Sequence, residues 1–318
     1  MDGLSEILGQ GADFPDASSR IIMLCTGVGD QTLWLSQMPA FRRKSGPVTV
    51  VLSAGQGTRE IAELFEGRAF DRLVEIGARP PALAEIMSSH FAPPRVLWAT
   101  HIWFDEFERY ELIAGGGGIA DLIRLVYDLP PNSPPAAPEV SVLAHMAAAE
   151  RMNRLGLPVR RTVLLAPWAN SWKCALTDAW WSAAARHLER RGYAVIVNTA
   201  NAARGAAQTN FAGLPDTAQI DLPLSEVIPF VELAGFFLGT RSGLCDLLAA
   251  ASCRKMVVYP YSSAVPTYLT GLPYETACNF WSIARAFQRQ DVFEQRVDSD
   301  APFDPEILDR WLDWSAPR

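Results

Sequence analysis

Apolar and polar positions follow a repeating order in the first half of the chain. IIMLCTGVGD (21–30) is an apolar run that ends in glycines; residues 31–46 have apolar positions at helical spacing, and VTVVLS (48–53) is a second apolar run. This pattern predicts strand, turn, helix and strand, and such a unit predicts parallel strands joined by a right-handed crossover. Further elements follow: a helix near 58–66, a strand near 72–76, a helix near 81–89, a strand at 95–103 and a helix at about 118–127.

The same order begins again at TVLLAPW (162–168). A repeated βαβ pattern predicts an α/β protein with two Rossmann-like parallel-sheet domains that face a cleft. The elements predicted here are a helix from Thr177 to Arg191 closed by Gly192, strands at 193–199, 218–221, 236–240 and 255–260, a helix or loop near 201–213, a helix within 222–235, and helices at 242–252 and 303–316.

A proline-rich segment separates the two halves. DLPPNSPPAAPEVSV (128–142) contains five prolines, which favour a stiff extended connector over a helix. A length of 318 residues also exceeds what one hydrophobic core usually serves. We therefore expect domains at 1–150 and 151–300, with an alternative boundary at 155–161. Residues 140–157 could form a helix on either domain, and residues 301–318 are expected to pack back on the first.

The composition of the chain indicates which kinds of ligand and which cellular compartment to expect. The net charge of −7 argues against nucleic-acid binding, because that binding depends on lysine and arginine neutralising phosphates. An anionic small ligand can still bind where the local potential is positive. The five cysteines are widely spaced, which predicts neither disulfides nor a zinc site. No secretion signal and no run of 18 apolar residues appears, so we expect a cytoplasmic chain without a membrane span.

The first candidate site is the turn Gly27-Val28-Gly29-Asp30, at the carboxyl end of the first predicted strand. Open α/β sheets bind ligands at this edge. The glycines, Gly29 among them, allow a ligand to approach the backbone, and the Asp30 carboxylate can act as a general base. The alternative is that Asp30 only caps the following helix. His101, after another strand of this domain, is a candidate contact for the acceptor or a packing residue.

The second candidate site is GTRSGLCDLLAAAS (239–252), where a predicted strand opens directly into a helix. The backbone of Ser242 and Gly243 is suited to an anion, and Arg241 can add a fork of charged donors, as a diphosphate requires. Asp246 could meet a ribose or sugar hydroxyl. The alternative is a tightly packed turn with a surface arginine. Other residues at strand ends on this side are candidate donor contacts: Thr199, Thr240 and Tyr261.

The third candidate site is the loop PWANSWKCALTDAWW (167–181), which holds Asn170, Ser171 and Lys173. Lys173 could neutralise a departing phosphate, or it could be a solvated surface lysine. Trp168 and Trp172 lie near a strand end, where their rings could stack on a sugar or serve as core.

These three segments, in this order, resemble the bacterial heptosyltransferase family and its wider glycosyltransferase B relatives. In that family a Gly-Asp pair follows the first strand and supplies the base, which implies this role for Asp30. A lysine before the Trp-containing helix of the second domain matches Lys173. The family's Asp-(Ser/Thr)-Gly-x-x-His element matches Ser242-Gly243 only in part, since Arg241 and Asp246 stand where the family has Asp and His.

The resemblance implies a glycosyltransferase that moves a hexose or heptose from a nucleotide-diphosphate sugar to a bacterial glycan or lipid-linked acceptor. It implies inversion and catalysis without a metal or cofactor, in keeping with the missing DxD motif. Peripheral association with the inner membrane stays open. Two other functions also stay open: pyruvyl transfer from phosphoenolpyruvate, and nucleotide-sugar binding without catalysis.

Overall fold

The computed structural model describes residues 19–24, 27–53, 58–76, 96–98, 111–169, 172, 174–199, 217–262 and 273–314. The chain divides into two compact units, Met1–Gly115 with Ala120–Glu139 and Gly116–Ile119 with Val140–Arg318. Each unit has its own parallel β-sheet. No helix in the described part of the chain is both long enough and apolar enough to cross a membrane.

The first unit is built on a sheet of four strands in the order β3-β2-β1-β4, all of them parallel. This order is the first part of the Rossmann arrangement, and it confirms the βαβ prediction for residues 20–53. The elements are β1 (Arg20–Leu24), α1 (Val28–Ser45), β2 (Val48–Ser53), α2 (Thr58–Glu63), β3 (Arg72–Ile76), β4 (Val96–Trp98) and α3 (Ile119–Val126). The predicted helix at 81–89 lies outside the described residues.

Helix α1 is enclosed by the first unit. Of its 18 residues, 11 are buried, so the helix is covered on more than one face. Tyr127, just after α3, packs on it, with its ring stacked on Phe41 at 4.5 Å and edge-on to Trp34 at 5.1 Å. The helix ends at Gly46, whose φ of 84° suits glycine and whose N–H donates to the carbonyl of Arg42.

The proline-rich segment is hydrogen-bonded to the first unit. The N–H of Ala136 donates to the carbonyl of Ser36 at 2.7 Å, and the N–H of Glu139 donates to the carbonyl of Leu64 at 2.6 Å. Residues 129–140 are neither helix nor strand, as their prolines predict. The two units part between Glu139 and Val140, directly after these bonds.

The second unit contains a six-stranded parallel sheet in the order β10-β9-β8-β5-β6-β7. Counted from β5, this is the full Rossmann order 3-2-1-4-5-6. The strands are β5 (Thr162–Ala166), β6 (Ala194–Asn198), β7 (Ala218–Ile220), β8 (Gly235–Thr240), β9 (Arg254–Tyr261) and β10 (Val292–Asp298). The helices are α4 (Val142–Arg154), α5 (Asp178–Arg190), α6 (Leu224–Ala234), α7 (Gly243–Leu248), α8 (Tyr274–Phe280), α9 (Ile283–Ala286) and α10 (Pro305–Asp313).

The last helix belongs to the core of the second unit. Ile307, Leu308, Trp311 and Leu312 pack in one buried cluster with Trp180 and Trp181 of α5 and with apolar residues of the sheet. His187 of α5 also contacts Asp309 of α10, with Nε2 and Oδ1 2.9 Å apart. The described part of this segment thus belongs to the core of the second unit, and the expectation that residues 301–318 pack back on the first domain stays a prediction. Helix α4 packs on α6, which places it in the second unit.

Some elements differ from the sequence predictions. Helix α7 ends at Leu248, so the three alanines predicted to extend it lie in turns. Strand β10 has no counterpart among the predicted elements, because only Val292 and Val297 of its side chains are buried and it lacks an apolar run. Helices α8 and α9 are also absent from the prediction, since they have only seven and four residues. The stretch at 201–213 lies outside the described residues.

Gly235 joins α6 to β8 where no side chain fits. Its φ is 91°, and a Cβ there would lie 2.8 Å from Cα of Arg160. We expect Gly235→Ala to lower the free energy of unfolding by more than about 1 kcal/mol, because backbone strain and a backbone clash add. Gly156→Ala is the matched control, since Gly156 has a φ of 63° with nothing within 4 Å. Urea denaturation followed by tryptophan fluorescence measures both, and equal losses would contradict a role for the clash.

Candidate functional site

Both sheets have a switch point, where consecutive crossovers leave in opposite directions. In the first unit it lies between β1 and β4, and in the second between β5 and β8. Ligands of open α/β sheets bind outside the carboxyl ends of the strands at such points. The first and second candidate segments directly follow β1 and β8, and the third follows β5.

In the first unit, Gly27 leads directly into α1. Gly27 is exposed and is the N-cap of the helix, with extended backbone angles, and its carbonyl accepts the N–H of Gln31 at 3.0 Å. Asp30 is the third residue of α1 and is half-buried. A carboxylate in a first helical turn is stabilised by the helix dipole. Asp30 therefore stands at the switch point, in the first turn of the helix, while Gly27 holds the N-cap position.

In the second unit, one hydrogen bond ties the two strands of the switch point together. The buried hydroxyl of Thr240, at the end of β8, donates to the carbonyl of Pro167, just after β5, at 2.9 Å. Thr240 thereby fixes the spacing of the two loops. Its predicted role as a contact of the donor substrate stays a prediction.

Arg241 and Asp246 form a buried ion pair across the turn from β8 into α7. The two guanidinium nitrogens lie 2.8 and 2.9 Å from the two carboxylate oxygens, and the side chains are 7% and 2% exposed. Nε of Arg241 donates to the carbonyl of Trp281 at 3.0 Å, and Nη1 also donates to the carbonyl of Ser242 at 2.9 Å. Arg241 is therefore not the surface arginine of the alternative interpretation, and the roles of Arg241 and Asp246 in binding the donor stay predictions.

Burial and the Arg241–Asp246 ion pair determine the pKa values of the side chains in this turn. Burial is the largest single influence on the pKa of the Arg241 guanidinium and lowers it, but the charge and hydrogen bond of Asp246, together with Tyr259 and Cys245, hold that pKa above its ordinary value. Burial raises the pKa of the neighbouring Cys245 thiol to about 11. Its sulfur lies 3.2 Å from the carbonyl of Thr240. The thiol is therefore neutral at physiological pH and is a packing group, because nucleophilic cysteines need a low pKa.

The loop after β5 is anchored on both sides of position 173. Trp172 is buried, and its indole N–H donates to the carbonyl of Pro260 at 2.7 Å. Cys174 is also buried, with its sulfur 3.0 Å from the hydroxyl of Tyr274. Trp172 is thus a core residue and its ring is not a platform for a sugar. Asn170, Ser171 and Lys173 lie outside the described residues, as does His101.

The remaining candidates lie at strand ends of the second sheet. The N–H and hydroxyl of Thr199 both donate to the carbonyl of Ile220, at 2.7 and 3.1 Å, which joins the ends of β6 and β7. Tyr261 is the half-buried last residue of β9. Ser262, which follows it, donates to Asp300 at 2.7 Å. No group of three His, Cys, Asp or Glu side chains within the described ranges is placed to hold a metal ion.

Comparisons with known proteins find similarity in structure only. No protein-family model and no curated protein sequence matches the chain. A glycosyl transferase of family 9 from Veillonella parvula superposes with a TM-score of 0.59 at 10% identity, over 89% of this chain and 86% of the other. Escherichia coli ADP-heptose lipopolysaccharide heptosyltransferase II gives 0.53 at 12% identity, over 92% and 97%. Escherichia coli heptosyltransferase WaaC with ADP gives 0.52 at 12% identity, over 93% and 99%.

These likenesses extend over both units and over nearly the whole of each neighbour. At such low identity they establish fold, and a fold alone does not fix an activity. The chain has the glycosyltransferase B fold, which confirms the predicted fold class, and the roles that the motifs imply stay predictions.

Proposed function

We propose that this protein is a glycosyltransferase that moves a hexose or heptose from a nucleotide-diphosphate sugar to a bacterial glycan or lipid-linked acceptor. The observation that carries the proposal is the position of the candidate segments. In a fold shared with sugar transferases, Asp30 and the Ser242-Gly243 turn each follow a strand that borders the switch point of its own sheet. Ligand sites of open α/β sheets are found at these positions.

In the proposed mechanism, the donor binds the second unit and Asp30 of the first unit acts as the base. Asp30 takes the proton of the acceptor hydroxyl as its oxygen attacks the anomeric carbon. The bond from that carbon to the phosphate oxygen breaks, and the nucleoside diphosphate leaves with the electron pair. Direct displacement inverts the anomeric centre. No metal or cofactor takes part, and the donor is the only nucleotide that the reaction consumes.

Charge on the leaving diphosphate is the main quantity that such an enzyme must stabilise. We assign this task to Lys173 and to the backbone of Ser242 and Gly243, with Asn170, Ser171, Thr199 and Tyr261 as neighbouring contacts of the donor. Arg241 and Asp246 neutralise each other, so the pair adds no net charge for the diphosphate. We therefore assign to both residues the role of shaping the turn.

A panel of ligands tests the proposal. We expect one nucleotide-diphosphate sugar to raise the melting temperature, since a ligand at 100 times its Kd stabilises a native protein by about 2.7 kcal/mol. Release of nucleoside diphosphate with that donor and an acceptor extract then measures transfer. Protection by phosphoenolpyruvate alone would favour pyruvyl transfer. Protection by a nucleotide sugar without release of nucleoside diphosphate would favour a binding protein and contradict the assignment as an enzyme.

A further inference from the structure

A polar network, buried on the side of Arg241 and half-buried at Glu294, extends from the Arg241 turn to β10. Its members are the side chains of Arg241, Asp246, Tyr259, Ser282 and Glu294 with the backbone of residues 281–283; we call it the Arg241 network. The link between its two halves is the carbonyl of Trp281, which accepts Nε of Arg241 at 3.0 Å. The guanidinium also lies over the Trp281 ring, 5.7 Å from its centroid.

Glu294 of β10 is the central acceptor in the part of the network that lies beyond the Trp281 carbonyl. Its carboxylate accepts the hydroxyl of Tyr259 at 2.5 Å, the hydroxyl of Ser282 at 2.6 Å and the N–H of Ile283 at 2.6 Å. The N–H of Ile283 also contacts the Tyr259 oxygen at 3.3 Å. Glu294 thereby fixes the segment that carries the Trp281 carbonyl.

Tyr259 connects this half to the central part of the sheet. Its hydroxyl lies 3.2 Å from the Trp281 carbonyl, but it has one proton and the shorter distance assigns that proton to Glu294. Burial, reinforced by the charge of Glu294, raises its pKa well above the ordinary value. Tyr259 is therefore a neutral donor, two residues before the end of β9.

A network of this kind adds little net stability to the fold. Buried ion pairs often contribute no more than apolar residues of the same volume, because their desolvation offsets the attraction. What a fully bonded network provides is one fixed arrangement of the backbone that it touches. Here that backbone is the turn at residues 241–243, beside the switch point, and the segment at 281–283.

We propose that Tyr259 and Glu294 are positioning residues for the nucleoside diphosphate part of the donor, acting through Trp281 and Arg241 on the Ser242-Gly243 turn. This inference rests on the proposed function. Neither residue needs to touch the ligand: they hold the turn in the geometry that the ligand requires, so that loosening them weakens donor binding before it affects chemistry.

The experiment compares Tyr259→Phe and Ser282→Ala with the wild type. Each change removes one hydroxyl of the network and adds no buried charge, so both variants are expected to fold. Isothermal calorimetry with ADP and with UDP gives the Kd of whichever the wild type binds more tightly. We expect Kd to rise about tenfold for Tyr259→Phe, the upper range for a lost hydrogen bond. The donor KM should rise in parallel, with kcat changed less than twofold.

Asp291→Asn is the matched control. It breaks the pair of Asp291 with the buried Lys255, 2.7 Å apart, near the amino ends of β9 and β10 in the same sheet. This variant should lose stability yet keep the wild-type Kd. If Tyr259→Phe keeps the wild-type Kd, or if Asp291→Asn weakens binding equally, the network is only structural and the inference fails. If the wild type binds no nucleoside diphosphate at all, the proposed function fails first.

Discussion

Replacing Asp30 with asparagine is expected to lower kcat by about 10²–10⁴-fold, the usual contribution of a general base. The amide has the size of the carboxylate but cannot take a proton from the acceptor hydroxyl. Asp30 lies in the first turn of α1, where a neutral side chain is readily accommodated, so the fold should persist. Initial rates of nucleoside diphosphate release, with Kd of the donor measured in parallel, test this. Donor affinity should stay within twofold of the wild type.

Glu60→Gln is the control for this experiment. Glu60 is also an acidic residue in the first turn of a helix of the same unit, and it is exposed on α2. Losing its charge should leave kcat unchanged. Turnover by Asp30→Asn at a rate near that of the wild type would remove Asp30 as the base and the mechanism with it.

Asp246→Asn is expected to lower the free energy of unfolding by about 3–5 kcal/mol, because it leaves the Arg241 charge buried without its partner. Both side chains are almost completely buried, so water cannot replace the lost carboxylate. Urea denaturation monitored by tryptophan fluorescence measures the loss. The double variant Arg241→Met, Asp246→Leu should regain part of the stability, since it removes both charges.

Asp313→Asn provides the comparison at the surface. Asp313 pairs with Arg191 at 3.5 Å and is 74% exposed. Exposed pairs typically contribute about 0–1 kcal/mol, so this variant should unfold close to the wild type. A loss of stability for Asp246→Asn as small as that for Asp313→Asn would show that the buried pair is dispensable.

Local patterns predicted much of the architecture. The apolar runs of β1, β2, β5 and β8 are buried. Each run is followed by glycine or by apolar residues at helical spacing, and both signals can be recognised from neighbouring residues alone. The helix α5 was readable for the same reason: Thr177 accepts the N–H of Trp180 at its start, and Gly192 follows its end with a φ of 80°. Strand β10 was missed because an edge strand buries few side chains.

The positions of the candidate segments in the fold could be predicted from the sequence, but the contacts that their side chains make could be predicted only in part. Both turns, at Asp30 and at Ser242, follow strands that the sequence predicts, so their place at the carboxyl edge of a sheet could be predicted, whereas the switch points became visible only with the strand order of the structure. The pairing of Arg241 with Asp246 could not be predicted, because Arg241 precedes the helix that carries Asp246 and the two do not form an ordinary pair along one helix. The links to Trp281 and Glu294 join residues far apart in sequence. The roles of Lys173, Asn170, Ser171 and His101 stay predictions.

The two outer strands of the second sheet affect how copies of this chain meet. Strand β7 has only three residues, and β10 has three charged side chains: Glu294, Arg296 and Asp298. Short or charged edges resist pairing with a strand from another molecule. Within the part of the chain that the structure describes, we therefore expect these outer strands to resist the addition of a strand from another copy.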